Sequence, residues 1–235
     1  MNPSRPSLST VRLVAWLTRG PATARRLLSL LLGSFVAVLV CAIACGDLLG
    51  LTERPDGSTA FDSSISSWVV AHRASGWTTL SHVLSPIGSQ AVLIPATGVV
   101  AAALLTRRRF ALAATLIAGW GGAILLYSLT KYFVHRPRPP SGLWLTDVGR
   151  TTSFPSGHAT QSLATFVMLA GVIAARRSMP RRLGWVLALV VAAGVGWSRV
   201  YLGVHWTTDV LAGWLIATAW VSVVLWLVRL AGGGR

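Results

Sequence analysis

Six apolar runs, at about 28–50, 78–105, 110–130, 158–175, 183–201 and 206–228, fill most of this 235-residue chain. They constrain its fold more than any other feature. A helix rises 1.5 Å per residue, so about 20 residues cross the roughly 30 Å hydrocarbon layer of a bilayer. The fourth and fifth runs sit near the short limit. The second is long and contains Pro86, Gly88 and Pro95, which predicts a kink or a tilt. Only 11% of residues are charged and the mean hydropathy is +0.63; soluble domains carry roughly 25% charged residues. The expected fold is all-α: a polytopic membrane bundle of six transmembrane helices.

A formal net charge of +15 would suit a nucleic-acid partner, but the Arg residues fall in short clusters between apolar runs. That distribution fits membrane topology and argues against nucleic-acid binding. If each run crosses once, one side holds the N-terminus, "TRRRF" (106–110), "RRSMPRR" (176–182) and the C-terminus, with 14 basic residues and no acidic one. The other side holds seven basic residues and all six acids: Asp47, Glu53, Asp56, Asp62, Asp147 and Asp209. The positive-inside rule then places both termini in the cytoplasm of a multi-pass plasma-membrane protein.

Residues 1–27 read as a basic N-terminal segment, 28–229 as one six-span domain and 230–235 as a short tail. Basic residues precede the first run, as in a signal peptide. The run is long for one and "AIACG" is a poor cleavage site, so it is expected to be retained. Cys41 and Cys45 lie one helical turn apart and are expected to be small core residues rather than a disulfide. In "FDSSISSWVVAH" (61–72), Phe61, Ile65, Trp68, Val69 and His72 form one helical stripe, and Asp62 could cap its start. This is either a short interfacial helix on the outer membrane surface or an outer loop packed over the bundle. Trp144, Trp197 and Trp206 are candidate interface anchors.

Three segments carry polar residues that a lipid-facing helix would not tolerate: "KYFVHRPRP" from Lys131, "TTSFPSGHAT" ending at Thr160, and "GWSRVYLGVHWTTD" ending at Asp209. The topology puts all three at the outer ends of spans, where buried ionisable groups are costly and mark functional sites. Lys131 is the only lysine among 21 basic residues. Lys131, Arg138 and Arg199 suit phosphate, Arg as a bidentate fork and Lys as a compact point charge. In "PSGH", Pro155 fixes a turn, Gly157 lets the backbone approach closely, and a helix N-terminus offers free N–H groups to an anion. His205 and Asp209 are four apart, on one helical face. Asp209 could keep one imidazole nitrogen protonated and leave the other free to attack, with His158 as general acid. Alone, the pair could equally serve a proton relay in a transporter. His135 and Arg136 lie between the motif positions, where they could touch substrate or line a solvated loop. His72 and His82 read as structural, and Asp147 and Arg150 as shaping an entrance.

Together the three segments resemble the signature of the type-2 phosphatidic acid phosphatase family, which also embraces the vanadium haloperoxidases. Its pattern, Lys-x6-Arg-Pro, Pro-Ser-Gly-His and Ser-Arg-x5-His-x3-Asp, is met at Lys131 to Pro139, Pro155 to His158, and Ser198 to Asp209. The resemblance implies a lipid phosphate phosphatase. His205 would be the nucleophile, oriented by Asp209, and would form a phosphohistidine. His158 would protonate the leaving group and then activate water. Lys131, Arg138, Arg199 and the backbone N–H groups of Ser156 and Gly157 would hold the phosphoryl oxygens. No metal or other cofactor is implied, and the partners are a lipid phosphate and the bilayer. Candidate substrates are phosphatidate, phosphatidylglycerol phosphate and polyprenyl diphosphate. The 15-residue loop 140–154 leaves little room for a headgroup domain. A phosphotransferase using the same intermediate fits the motifs equally, and oligomeric state leaves no trace in the sequence.

Overall fold

The computed structural model describes residues 21–232 except 53, 150 and 176–179. Most of the basic N-terminal segment, Glu53, Arg150, Arg176, Arg177 and the end of the tail lie outside the described residues. The described residues form helices and no strand. The helices are α1 (Pro21–Gly50), α2 (Ala60–Ala71), α3 (Ser75–Ile87), α4 (Gln90–Thr106), α5 (Phe110–Phe133), α6 (Gly157–Ala175), α7 (Arg181–Tyr201) and α8 (Thr207–Gly232). A single 3-10 turn, Ser141–Leu143, lies between α5 and α6. Five of them contain stretches long and apolar enough to cross a membrane alone: Thr23–Gly50, Phe110–Phe133, Gly157–Ala174, Arg182–Tyr201 and Thr207–Ala231.

The bent pair α3–α4 meets the same criteria jointly, turns by 47° at its break and is the sixth candidate span. The expected kink is thus a complete interruption at Gly88 and Ser89. Ser89 restarts the helix by accepting a hydrogen bond from the Val92 N–H at 3.3 Å. Pro95 stays inside α4 without breaking it. The break presses on its neighbours: a Cβ on Gly88 would overlap Val195 of α7. Gln161 of α6 donates to the Gly88 carbonyl at 2.7 Å.

Helix α6 is the centre of the bundle and packs against α5, α7 and α8. Its span has the lowest mean hydropathy of the five, 1.3 against 2.7 for α1. The reason is its surroundings: Thr160, Gln161, Ser162 and Thr165 are all buried in protein rather than facing lipid. Leu104, Leu116, Leu126, Met168 and Trp220 form the apolar core around it. Phe35 of α1 meets Trp220 edge-on at 5.4 Å. Helix α1 is otherwise peripheral. Ala42 and Gly46 take its inward positions, so Cys41 and Cys45 are exposed, contrary to the core placement expected of them.

The outer segment 61–72 is a helix that packs over α7 and α8. Its cap differs from expectation. Thr59 accepts from the Asp62 N–H at 3.1 Å, while Asp62 Oδ2 accepts from the Thr59 N–H at 3.3 Å, forming a capping box. Asp62 and Val69 face inward and are buried, whereas Phe61 and Trp68 are exposed. The anticipated stripe is therefore split, because a buried polar contact at Asp62 sets the rotation of the helix.

The turn from α7 to α8 passes through Gly203 at φ +73°, and a Cβ there would overlap the Leu143 carbonyl oxygen. Leu145 donates to the Leu202 carbonyl at 2.9 Å, pinning the 140s loop onto this turn. Gly203→Ala adds positive-φ strain of about 1–3 kcal/mol to that overlap. We expect a melting temperature in detergent several degrees lower, read by fluorescence-detected unfolding; an unchanged value would mean the loop moves freely away.

Candidate active site

The antiparallel bundle gathers the three polar segments at one end. Lys131 lies in the last turn of α5, Gly157 and His158 in the first turn of α6, Arg199 in the last turn of α7, and Asp209 in the first turn of α8. His205 is on the turn just before α8. A cavity of about 530 Å3 opens there, lined by Lys131, Arg138, Gly157, His158, Arg199 and His205. Asp147 also lines it, as expected of an entrance residue.

The His205 ring is buried, and its Nδ1 lies 3.3 Å from Asp209 Oδ2. Burial, with Arg138 as the nearest contributing cation, holds this imidazole well below its ordinary pKa. In the neutral ring the carboxylate beside Nδ1 selects the tautomer with the proton on Nδ1, which donates a hydrogen bond to Asp209 Oδ2. Nε2 is then left with a lone pair, which faces the Arg138 Nη1 at 3.1 Å. A neutral imidazole oriented in this way has the chemistry of a nucleophile once the Arg138 contact gives way.

Asp209 is fully buried and saturated with donors. Its Oδ2 accepts from the Trp206 N–H at 2.9 Å and from the Ser153 hydroxyl, and its Oδ1 accepts from Arg136 Nη1 at 2.7 Å. A carboxylate with these bonds is fixed in position and has no free face for another ligand.

Each cation that faces the cavity is anchored from behind. Lys131 Nζ donates to the carbonyls of Thr152 at 2.5 Å and Ser153 at 3.1 Å. Arg138 donates to Thr151 O at 2.9 Å, Thr151 Oγ1 at 2.8 Å and Val204 O at 2.5 Å. Arg199 donates to the Ser85 hydroxyl, and its Nε has no protein partner. Three fixed cations around a neutral imidazole can hold an anion with three equatorial oxygens, the shape of a phosphoryl group in transfer.

Ser156 departs from the expectation. Its N–H donates to the Asp209 carbonyl at 3.0 Å, so it is committed to joining α6 to α8 rather than open to an anion. Its hydroxyl accepts from the Ala159 N–H at 3.4 Å in N-cap fashion. Gly157 does line the cavity, and a Cβ there would come within 3.0 Å of the Tyr127 ring. Close approach to Tyr127 is thus one reason for glycine.

Several residues of the site were not identified from sequence. Ser85, Ser89 and Gln90, around the α3–α4 break, form one wall of the cavity together with Tyr127, whose hydroxyl accepts from Gln90 Nε2 at 2.5 Å. Ser153 and Arg136 lie inside the quoted segments, yet neither was singled out as holding Asp209. His72, His82 and His135 are exposed and outside the cavity. Trp206 is only 2% exposed and donates to the Pro137 carbonyl at 3.0 Å, so it is a packing residue and not an interface anchor.

Comparison with known proteins gives the family and the fold. The family model described as PAP2 superfamily matches residues 108–232, just over half of the chain. The chain is 34% identical over 143 residues to an undecaprenyl-diphosphatase from Sulfolobus acidocaldarius, covering 59% of this chain and 64% of that one, just under two thirds of its length. It is 28% identical over 155 residues to phosphatidylglycerophosphatase B of Bacillus subtilis, covering 65% of this chain and 75% of that one. The crystal structure of a transmembrane PAP2 type phosphatidylglycerolphosphate phosphatase from Bacillus subtilis superposes with a TM-score of 0.71 at 24% identity. The superposition covers 84% of this chain and 98% of that one, and it supports the fold.

Ser156→Ala removes the hydroxyl and keeps the N–H; if the hydroxyl serves only the helix start, the variant should cost about 1 kcal/mol of stability through the lost cap. It should leave the stabilisation of the protein by inorganic phosphate, read as a thermal shift, unchanged. A lost phosphate-induced shift would mean that the hydroxyl itself touches the anion.

Proposed function

The chain belongs to the PAP2 superfamily, and on that footing we propose that it is an integral membrane lipid phosphate phosphatase. Its substrate would be a lipid phosphomonoester or diphosphate, and residues 28–229 would form the phosphatase domain. The observation that carries the proposal is the convergence of Lys131, Arg138, His158, Arg199 and His205 on one cavity, with His205 oriented by the saturated carboxylate of Asp209.

In the first step the lone pair of His205 Nε2 forms a bond to phosphorus while the bond from phosphorus to the leaving oxygen breaks. His158 gives that oxygen a proton. In the second step His158 takes a proton from water, the water oxygen bonds to phosphorus, and the P–N bond breaks to free phosphate and restore His205. Lys131, Arg138 and Arg199 hold the three equatorial oxygens throughout. Fixed cations need little rearrangement as charge shifts, so electrostatic stabilisation supplies most of the rate. The reaction is metal-independent: the donors around His205 are cationic and the one carboxylate beside it is filled.

The lipid chain would lie along the bundle while the head reaches the cavity. Gln90 both lines the cavity and is exposed, and marks where the cavity reaches the bundle surface. Names of the relatives favour a polyprenyl diphosphate or phosphatidylglycerol phosphate. Both termini would lie in the cytoplasm and the site on the outer face of the plasma membrane, a reading supported by the charge asymmetry between loops.

The test is phosphate release in detergent from phosphatidate, phosphatidylglycerol phosphate and a polyprenyl diphosphate, with chelator present. We expect turnover of at least one, and a loss of roughly a thousandfold or more in His205→Ala, as when a catalytic nucleophile is removed. Turnover that needs added metal, or that survives in His205→Ala, would overturn the mechanism.

Lys131→Arg offers a finer check. The ammonium sits between two carbonyls, 2.5 and 3.1 Å away, in the same segment that positions Ser153. A planar guanidinium would push that segment aside. We expect turnover to fall at least about tenfold although charge is conserved; near-normal turnover would reduce Lys131 to a membrane-surface anchor.

A further inference from the structure

Arg136 lies two residues before the phosphate-facing Arg138, yet it does not line the cavity. It is only 3% exposed and reaches in the opposite direction. Its Nη1 donates to Asp209 Oδ1 at 2.7 Å and to Thr208 Oγ1 at 2.6 Å. Nη2 donates to Asp62 Oδ2 at 2.7 Å, and Nε to the Gly57 carbonyl at 3.0 Å. Asp62 belongs to the outer helix α2 and is itself fully buried. It accepts from the Thr208 N–H at 2.9 Å and hydroxyl at 2.8 Å, at the start of α8. One guanidinium thus bridges two buried carboxylates from helices far apart in sequence.

We infer that Arg136 and Asp62 are positioning residues, a clamp that holds the Asp209 carboxylate aimed at Nδ1 of His205. This rests on the proposed function above for its catalytic meaning. Substrate contacts are left to Lys131, Arg138 and Arg199. Nη1 fixes Asp209 Oδ1 while Nη2 is tied to Asp62, which leaves Oδ2 to meet the imidazole, so the hydrogen bond to His205 has one geometry. The second carboxylate holds the guanidinium in turn, and through it α2 is joined to the catalytic turn. The charged and titratable groups around this pair are His205 beside Asp209, Lys131 from α5, and Arg138 from the loop that follows α5.

Arg136→Gln leaves two carboxylates in one buried pocket with a neutral amide between them. Both being ionised there is unfavourable, so the folded variant takes up a proton that the unfolded chain would not hold. Two consequences distinguish a clamp from general packing. First, kcat should fall about 10–100-fold, as for other residues that orient a catalytic group, with KM within about twofold and the acid limb of the kcat profile moved to higher pH. Second, the variant's melting temperature, taken relative to the wild type's at each pH, should drop as pH rises from 5 to 8, because a proton held more tightly in the folded state stabilises it at low pH and is lost at high pH. The depressed imidazole of His205 gives both proteins the opposite slope, so the difference between them is what is read.

Adding Asp62→Asn to Arg136→Gln removes the second carboxylate. It should recover part of kcat and flatten the melting slope. Should Arg136→Gln fail to accumulate folded, Arg136→Lys carries the test: an ammonium keeps the charge but reaches only one carboxylate, so kcat should still fall with KM held. Unchanged kcat in both Arg136 variants, a rise in KM alone, or no recovery in the double variant would overturn the clamp. A wild type inert on every lipid phosphate would overturn the proposed function instead, and the melting slopes would then judge the clamp without it.

Discussion

Burying a cation costs several kcal/mol unless it gains close acceptors. That constraint organises the whole active end of this bundle. Lys131, Arg138 and Arg136 are drawn below the surface, and in each case a backbone carbonyl comes to meet the charge: Thr152 and Ser153, Thr151 and Val204, and Gly57. The same device holds Arg73, which donates to the Leu143 carbonyl at 2.6 Å and the Tyr201 carbonyl at 3.3 Å. The loops that carry these oxygens have little regular structure. Their paths are fixed instead by the charges that they solvate. Anchored from behind, the cations facing the cavity still have donors to offer an anion in front.

This dependence explains what was legible in the sequence. The spans are driven by apolar length, a local property, and all six are found close to where the runs predict them. The cavity-lining residues of the motifs are tied to fixed spacings in the sequence, and Lys131, Arg138, His158, Arg199 and His205 do share one cavity. Residues whose role depends on a partner remote in sequence were not legible. Arg136 reads as a loop cation until Asp62, 74 positions earlier, is seen against it. Asp62 reads as a helix cap because its local signal is a capping signal, and the capping box does form. Nothing local says that the same carboxylate is also buried against Arg136 and Thr208. Ser156 errs the other way: a free N–H at a helix start is a sound local expectation, but the Asp209 carbonyl takes it.

The break in the second span shows the same coupling at larger scale. Proline and glycine in the run predict a disturbed helix, a kink or a tilt. The structure uses the interruption. A continuous helix would present only side chains to the cavity and would tie up its own carbonyls. Broken at Gly88, the span frees that carbonyl for Gln161 and brings Ser85 to Arg199. Irregular backbone inside a membrane bundle is tolerated where it is buried in protein or lines a polar cavity, and here it does both. The break therefore belongs to the site as much as the motifs do.

The outer helix α2 can be understood in the same terms. Its apolar contact with the bundle is slight: Val69 is its only buried apolar residue, while Phe61 and Trp68 face outward. Burial of one such side chain contributes roughly 1.5–3 kcal/mol, too little to order a twelve-residue segment against a backbone cost of about 1–2 kcal/mol per residue. The bonds of Asp62 to Arg136 and Thr208 supply a directional hold that apolar contact does not. An exposed ion pair would do little, since such pairs contribute about 0–1 kcal/mol. A buried one is different in kind: removing either partner strands the other in a medium that does not solvate it. Helix α2 and the carboxylate of Asp209 consequently depend on one guanidinium, and an outer helix that does not line the cavity is tied through it to the carboxylate beside His205.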